Sequence, residues 1–299
     1  MTFVNLAPIV LFVYNRPWHT QQTVEALQKN KLASESELFI YSDEAKNDDA
    51  RVSVDEVRKY IGNITGFKKI TVIKRDKNWG LANSIIDGVT QIVNKYGKII
   101  VLEDDLITSP NFLKFMNSTL KFYKNEEKIL SISGYTYPFK IPKNYNEDVF
   151  IFYRTSSWGW ATWKNEWSMV DFNVTKKHEI FKNKLLQKEF NRGGDDLFKM
   201  LKKQAEGRID SWAIRFALSS SLNDKYTLFP SKSLVKNIGH DKSGTHCGNS
   251  NIWDVDLDYT FKPKLVNISL NTGIVKNVQK KLNKTILKRI KSSIRKIIK

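Results

Sequence analysis

The sequence of 299 residues is long enough for one large domain or two small ones, and its 41% hydrophobic and 12% aromatic residues exclude an intrinsically disordered chain. The formal net charge is +18, but residues 276–299 contribute ten basic residues and no acidic one, so the excess is largely local. The single cysteine, Cys247, excludes an intramolecular disulfide, and because we find no signal peptide or membrane-spanning apolar run, we expect a cytoplasmic protein.

Strands and helices alternate in the first half of the sequence. Short apolar runs, typical of strands buried on both faces, alternate with stretches in which apolar residues recur every three or four positions. This alternation predicts an α/β fold with a mostly parallel sheet flanked by helices. The predicted strands cover residues 8–14, 37–42, 69–73 and 98–102, and the predicted helices cover 19–29, 52–61 and 80–96.

The second half is less regular. No Pro-, Gly- or Ser-rich linker divides the chain, so we expect one domain over residues 1–270 and a tail over 271–299. Within the second half we predict a strand at 128–133, loop and short strand at 135–155, a tryptophan-rich segment at 157–163, and helices at 180–190, 197–205 and 211–222.

The tail is predicted to form a basic amphipathic helix. Its aliphatic residues, from Val278 and Leu282 to Ile297, recur every three or four positions among the basic residues. Such a helix can lie in an anionic membrane surface with its apolar side inward; packing of that side against the domain and nucleic-acid binding are the alternatives. The membrane interpretation assigns contacts with lipid phosphates to Lys280, Lys281, Lys284, Lys288 and Arg289.

Polar residues follow three of the predicted strands. Asn15-Arg16, Ser42-Asp43 and Glu103-Asp104-Asp105 each stand where a strand ends, and ligands of parallel sheets bind at that edge. A carboxylate cluster at this edge suits Mn²⁺ or Mg²⁺, which takes oxygen ligands and can neutralise the charge of a departing diphosphate. The alternative is an acidic turn that caps the next helix.

The segment from Ile99 to Leu106, with Ser109-Pro110-Asn111-Phe112 after it, resembles the nucleotide-binding half of GT-A glycosyltransferases. The particular likeness is to the N-acetylglucosaminyltransferase I type, which has Glu-Asp-Asp where many relatives have Asp-x-Asp, and to related bacterial family-2-like sugar transferases. It implies a GT-A fold with a donor-binding half at 1–125 and an acceptor and catalytic half at 126–270. The other matching segments, in order over about residues 7–245, are Asn15-Arg16, Ser42-Asp43, Tyr153-Arg154-Thr155 with Trp158-Gly159-Trp160, and Ile209-Asp210-Ser211-Trp212.

The resemblance implies a role for each polar residue at the strand ends. Asp105 would bind the metal ion directly, while Glu103 and Asp104 would touch the donor sugar or the ribose. Arg16 would contact the nucleotide or its diphosphate, and Asp43 the base or the ribose. From the sequence alone, Arg16 is equally well explained as a surface residue, and Asp43 as a helix cap or a loop acid.

Residues of the second half complete the implied site. Asp210 is the candidate general base, because inverting transfer needs one carboxylate to take the proton of the acceptor hydroxyl. Ser211 stands where the family often has a second aspartate, so Asp210 acts alone or the match is shifted by one residue; its alternative role is as N-cap of the helix at 211–222. Trp158 and Trp160 are predicted to stack on the acceptor sugar, with core packing as the alternative.

Two further residues are weaker candidates. His240 lies in a polar loop that contains glycine. In the family that the sequence resembles, a similar loop late in the chain helps to hold the metal ion. The alternative is that His240 is an ordinary surface histidine. Asn83 lies in the segment that opens the helix at 80–96 and could face the donor, although capping of that helix by Asn78 explains the segment equally well.

Together these features predict a metal-dependent, inverting hexosyl- or N-acetylhexosaminyltransferase that uses a nucleotide-sugar, most readily a UDP-sugar. The expected acceptor is a glycan or lipid-linked glycan of bacterial surface polysaccharide or lipopolysaccharide biosynthesis, reached at the inner face of the cytoplasmic membrane. A sugar nucleotidyltransferase is an alternative, but Asn15-Arg16-Pro17 is not the Gly-rich, lysine-containing loop that it would need. A non-enzymatic nucleic-acid-binding protein would leave the acidic strand end unexplained, so no nucleic-acid partner is expected.

Overall fold

The computed structural model describes residues 5–241 and 251–283. Its strands are β1 (Ile9–Val13), β2 (Glu37–Ser42), β3 (Lys69–Lys74), β4 (Lys98–Glu103), β5 (Leu106–Thr108), β6 (Ile129–Ser133), β7 (Val149–Phe152), β8 (Trp160–Trp163), β9 (Tyr226–Pro230) and β10 (Val235–Asn237). Its helices are α1 (Pro17–Gln28), α2 (Asp48–Ile61), α3 (Leu81–Tyr96), α4 (Phe112–Phe122), α5 (Lys164–Ser168), α6 (Lys177–Lys182), α7 (Lys184–Phe190), α8 (Leu197–Ala205) and α9 (Trp212–Leu222). A further helix, the C-terminal helix, covers residues 272–283.

Eight strands form one sheet in the order β3-β2-β1-β4-β8-β6-β9-β7, and the first four of these are parallel. β1 is buried along its whole length because helices cover both of its faces. Ile9 and Leu11 pack with residues of α1 and α2, whereas Val10 and Phe12 pack with residues of α3. The predicted α/β fold, with a mostly parallel sheet between helices, is confirmed.

The strand register aligns the carboxyl ends of β1, β2 and β4. Phe12 of β1 lies beside Glu103 of β4, and Val13 of β1 lies beside Ser42 of β2. The polar residues that follow these strands therefore leave the sheet at one edge, and this places Arg16, Asp43 and the acidic residues together.

The second half adds four strands to the same sheet, of which β6 and β9 run parallel to the first four and β7 and β8 run antiparallel. β8 lies between β4 and β6 and is antiparallel to both, although the sequence indicated only a tryptophan-rich segment there. The helix predicted over residues 180–190 is two helices, since the Asn183 side chain accepts hydrogen bonds from the Leu185 and Leu186 amides and so starts α7 anew.

A two-stranded ribbon lies beside the main sheet. β5 follows the acidic residues directly and pairs antiparallel with β10, with Leu106 opposite Asn237. Residues 238–241, which follow β10, are thereby held against the end of β4. They are called the strap, and they reach the site described below.

The C-terminal helix packs on the domain. Its residues Ile274, Val278 and Leu282 are buried against Phe150 of β7, Phe152 of β7 and Phe229 of β9. The prediction that Val278 and Leu282 face a membrane is therefore wrong, because the domain already covers them, and the alternative of packing against the domain holds for them.

Part of the basic tail can be placed. Lys280 is exposed and Lys281 is half-buried, whereas Lys284, Lys288 and Arg289 lie outside the described residues. None of the helices in the described part of the chain combines the length and the hydropathy needed to cross a bilayer.

Candidate active site

The carboxyl ends of β1, β2 and β4 surround a cavity of about 470 Å³. The cavity brings together Arg16, Asp43, the triplet of Glu103, Asp104 and Asp105, and Asp210, which are far apart in the sequence. Its walls are formed by residues 12–16, Asp43, Lys46, Asn78, Gly80, Leu81, Ala82, Ser84, Glu103, Asp104, Asp105 and Asp210.

Arg16 holds two of the three acidic side chains. Its Nη2 donates hydrogen bonds to Asp104 and, at 3.0 Å, to Oδ2 of Asp105. Burial by itself lowers the pKa of the guanidinium, but the charges of Asp104 and Asp105 outweigh burial and raise that pKa above its ordinary value. The Nη1 atom is buried without a hydrogen-bond partner. The guanidinium thus keeps a donor for an anionic ligand such as a phosphate.

The triplet places three carboxyl groups beside the single guanidinium of Arg16, and their crowding favours the protonated, neutral form. Burial, together with the charges of Asp105 and Asp104, raises the pKa of Glu103 to about 8, and burial also raises the pKa of Asp104. Thr23 of α1 fixes the turn, since its hydroxyl donates to the Asp104 carbonyl at 2.8 Å and accepts from the Leu106 amide at 3.0 Å. A fixed turn with crowded carboxyl groups beside an open cavity suits a hard divalent cation, which would displace the proton of Glu103 on binding.

Asp43 is saturated with hydrogen bonds from the protein. Its Oδ1 accepts from the amides of Glu44 at 3.0 Å and Trp79 at 2.9 Å. Its Oδ2 accepts from the Gly80 amide at 2.9 Å and from Nδ2 of Asn78 at 3.3 Å. Because a carboxylate offers about four acceptor sites, this geometry makes Asp43 the anchor of the cavity wall to which Asn78 and Gly80 contribute.

Asp210 stands at the mouth of the cavity with an exposed carboxylate. Arg215 of α9 donates to Oδ1 of Asp210 at 2.6 Å, and its Nε donates to the Ser211 carbonyl at 3.1 Å. The alternative role of Asp210 as helix cap is wrong, because the Ser211 side chain caps α9 by accepting from the Ile214 amide at 3.3 Å. The assignment of Asp210 as general base stays a prediction.

The strap forms the wall behind Asp105. The Ile238 amide donates to the Asp105 carbonyl at 2.8 Å, and Gly239 lies so close to the Asp105 carboxylate that no side chain fits there. His19 of α1 also lies beside the strap, with its Nε2 3.1 Å from Oδ2 of Asp241. The sequence indicated a polar loop that contains Gly239, but it gave Gly239 no role beside Asp105 and did not point to His19.

Comparison with known families decides the assignment of the chain. Residues 9–191, which include the whole parallel half of the sheet and the acidic triplet, match the sequence profile described as Glycosyl transferase family 2. The chain belongs to this family. The resemblance noted in the sequence to bacterial family-2-like sugar transferases is thereby confirmed.

Two matches among solved structures are distant in sequence and in structure. The crystal structure of S. aureus TarS matches with a TM-score of 0.43 and 12% identity, over 76% of this chain and 36% of the TarS chain. The mannosyltransferase PcManGT from Pyrobaculum calidifontis, in complex with GDP-Man and Mn²⁺, matches with a TM-score of 0.35 and 9% identity, over 54% of this chain and 45% of its own. The chain thus spans less than half of either protein. A comparison with curated proteins finds no match.

In this family-2 protein, the triplet can supply some of the ligands of a metal ion, and a bound molecule would supply the others. Among residues 5–241 and 251–283, no group of three or more His, Cys, Asp or Glu side chains forms a ready metal cage, and Asp104 and Asp105 both turn to Arg16. Mg²⁺ usually takes only one or two carboxylates and completes its shell with phosphate oxygens and water. Glu103 and Asp105, which both line the cavity, are the carboxylates placed for such an ion.

Two candidate residues of the family-2 site, Trp160 for the acceptor and Asn83 for the donor, do not line the cavity. Trp160 is fully buried and stacks on Trp167 and Trp212 with ring centroids 5.7 and 5.0 Å apart, so it cannot contact an acceptor. The Asn83 side chain is exposed, donates to the Trp79 carbonyl at 3.0 Å and does not line the cavity. The prediction for Trp160 is wrong, because β8 turns its side chain into the core, whereas donor contact by Asn83 stays a prediction.

Trp158 packs against His240, which is a residue of the strap. Their rings meet edge to face at a centroid distance of 5.3 Å, and Trp158 also packs on Tyr135 at 4.4 Å. His240 directly follows Gly239, and its Nδ1 is buried without a hydrogen-bond partner. Acceptor binding by Trp158 and metal binding by His240 stay predictions. Lys46, exposed at the cavity rim, is a cation that the sequence reading missed.

Proposed function

We propose that this family-2 protein transfers a sugar from a nucleotide-sugar donor to a hydroxyl group of an acceptor. The observation that best supports this function is the single cavity that Arg16, Asp43, the acidic triplet and Asp210 share. Its volume of about 470 Å³ lies within the range of small-molecule binding sites. Neither the nucleotidyltransferase nor the nucleic-acid-binding alternative accounts for the family match together with this cavity.

The donor is proposed to lie along the wall that Asp43 anchors. The nucleoside would pack beside residues 78–84, and its diphosphate would reach the free Nη1 donor of Arg16 and the ammonium group of Lys46. The negative charge of the phosphates would then lie beside the positive charges of Arg16 and Lys46. We propose a UDP-sugar as donor and Asp43 as a residue that positions the nucleoside through the wall.

Asp105, with Glu103 beside it, is proposed to hold Mn²⁺ or Mg²⁺, which supplies Lewis acidity to the leaving diphosphate. Asp210 takes the proton of the acceptor hydroxyl while the hydroxyl oxygen forms a bond to the anomeric carbon. The bond from that carbon to the diphosphate breaks, and its electron pair leaves on the phosphate oxygen. Attack from the face opposite the diphosphate inverts the anomeric configuration, and Arg215 orients the Asp210 carboxylate.

The proposed function is tested with a panel of UDP-, GDP- and CMP-sugars. We expect one donor to raise the melting temperature and to be hydrolysed slowly, both only with Mn²⁺ or Mg²⁺ present, because a ligand that binds the folded state stabilises it. Asp105→Asn is expected to lose both effects. Asp55→Asn, at an exposed position of α2, is the matched control and should behave as wild type. Failure of every donor, with and without metal, would overturn the proposal.

We further propose that the basic tail binds an anionic membrane surface and that the acceptor is a lipid-linked glycan of bacterial surface polysaccharide synthesis. Lys276 and Lys280 are exposed, while the opposite side of the C-terminal helix is buried on the domain. The lysines, rather than an inserted apolar side, would then carry binding over these residues. Each lysine near such a surface contributes about 1 kcal/mol.

Substitution tests this proposal better than truncation, because removal of residues 276–299 would also remove the buried Val278 and Leu282. Replacing Lys280, Lys284 and Lys288 with Gln should weaken binding to phosphatidylserine vesicles on the order of 100-fold. The same change at the exposed Lys114, Lys121 and Lys124 should have a much smaller effect. Equal binding by both triple variants would refute a membrane role of the tail.

A further inference from the structure

Trp18 is the most exposed tryptophan of the protein. All eight tryptophans lie in the described residues; the side chain of Trp18 is 58% exposed, whereas the others are buried or half-buried. Its indole meets the ring of His19 edge to face at a centroid distance of 4.9 Å. A single edge contact cannot cover both faces of an indole, so at least one face is open to a ligand.

The position of Trp18 ties it to the active site. It lies in the first turn of α1, two residues after Arg16, which binds Asp104 and Asp105. Side chains of a helix lean toward its N-terminus, and this end of α1 lies at the carboxyl edge of the sheet, since β1 leads directly into it. Trp18 therefore stands at the rim of the site and not on a remote surface.

The strap lies on the same side of the site. His19, which contacts the indole of Trp18, is also 3.1 Å from Asp241, and Gly239 of the same strap packs on Asp105. Trp18 does not line the donor cavity, although residues 12–16 do. A molecule that covers Trp18 would thus lie outside the donor cavity, next to the helix end and the strap that border the acidic triplet, so an acceptor bound there could reach the site from its rim.

We propose that Trp18 is the platform on which a sugar ring of the acceptor stacks. The apolar C–H face of a pyranose would lie on the open face of the indole, and the hydroxyl groups at its edge would remain free for water and for the transfer. This replaces Trp160, which is buried, as the aromatic residue for the acceptor. The inference rests on the proposed function, since it assigns the acceptor of that reaction to a carbohydrate.

The experiment records the indole N–H resonances of the ¹⁵N-labelled full-length protein. Trp18→Phe identifies the Trp18 signal as the one that disappears. The protein is then titrated with methyl glycosides of glucose, galactose, mannose and N-acetylglucosamine, with sorbitol as a polyol that has no ring. We expect at least one glycoside, and not sorbitol, to shift the Trp18 signal, and the shift to saturate.

A separate titration with UDP and GDP in the presence of Mn²⁺ reports on the donor cavity through the signal of Trp79, which stacks on Arg75 beside it. If nucleotides shift Trp79 but no glycoside shifts Trp18, the acceptor platform is wrong and the proposed function stands. If the glycosides and sorbitol shift Trp18 alike, stacking on a sugar ring is also refuted. If nucleotides leave Trp79 unchanged while glycosides shift Trp18, the donor site fails and the sugar platform is retained.

Discussion

Gly239→Ala should damage the active site far more than the fold. A Cβ atom at this position would lie 2.9 Å from Cγ of Asp105 and 3.0 Å from Nη1 of Arg16, with Oδ2 of Asp105 closer still. Real Cβ atoms do not approach other atoms so closely, so the carboxylate must move by about 1 Å to reach an ordinary van der Waals separation. The backbone at Gly239 has no positive φ, and the effect is therefore one of space alone.

The size of the effect follows from the displacement. A shift of about 1 Å in a positioned group costs on the order of 100-fold in rate, which corresponds to about 2.7 kcal/mol. The free energy of unfolding should change less, because an overpacking cost of about 1–3 kcal/mol is partly offset by about 0.4–1 kcal/mol from the stiffer unfolded chain. We expect a melting temperature a few degrees below that of wild type.

The assay measures kcat/KM for metal-dependent donor hydrolysis together with the melting temperature. Gly62→Ala is the matched control, because Gly62 has a φ of −68° and a Cβ there would meet nothing closer than 3.4 Å. It should retain both the activity and the stability of wild type. A Gly239→Ala variant with kcat/KM within about twofold of wild type would show that the strap does not position Asp105.

Four further substitutions test other parts of the structure. Asp43→Asn should lower the free energy of unfolding, measured by urea denaturation, by about 1–3 kcal/mol, because a neutral amide cannot accept all four hydrogen bonds. It should also raise the donor KM more than it lowers kcat. An unchanged KM would contradict the anchoring role. Ser211→Ala should lower the free energy of unfolding by about 1 kcal/mol and leave kcat unchanged. Asp210→Asn should lower kcat about 10²- to 10⁴-fold and leave the stability unchanged. The opposite result would show that Asp210 caps the helix and that Ser211 acts in the transfer. Leu282→Ala should lower the free energy of unfolding by about 2–5 kcal/mol in the same denaturation assay, because Leu282 is buried. Unchanged stability would show that the C-terminal helix does not pack on the domain in solution.

The parallel half of the fold could be predicted because its signals are local. The apolar run that became β1 is bounded by Pro8 and by Asn15, and the helical spacing from Leu81 onward follows one continuous face of α3. Since parallel strands align their carboxyl ends, the meeting of Arg16, Asp43 and Asp105 also followed from the alternation of strands and helices.

The second half could be predicted only in part: the strand at 128–133 and the helices at 197–205 and 211–222 agree with β6, α8 and α9, but contacts that join distant segments could not be predicted. β8 is a strand only because β4 and β6 lie on either side of it, and no short-range pattern in its four residues shows those partners. The same pairing buries Trp160, which the sequence presented as an equal of Trp158. The sequence offered Asp210 as a possible cap of the helix at 211–222, but the helix begins one residue later and Ser211 is its cap. Side-chain type alone does not fix the start of a helix to one residue.

The central claim, that the acidic triplet and Arg16 hold a divalent ion against a diphosphate, is tested most directly by isothermal titration calorimetry of UDP and GDP with and without Mn²⁺. We expect wild type to bind one of these nucleotides at least about tenfold more tightly with Mn²⁺, a difference of about 1.4 kcal/mol, and Asp105→Asn to lose that difference. Nucleotide affinity that is the same with and without Mn²⁺ in wild type, or a metal dependence that survives in Asp105→Asn, would contradict the claim.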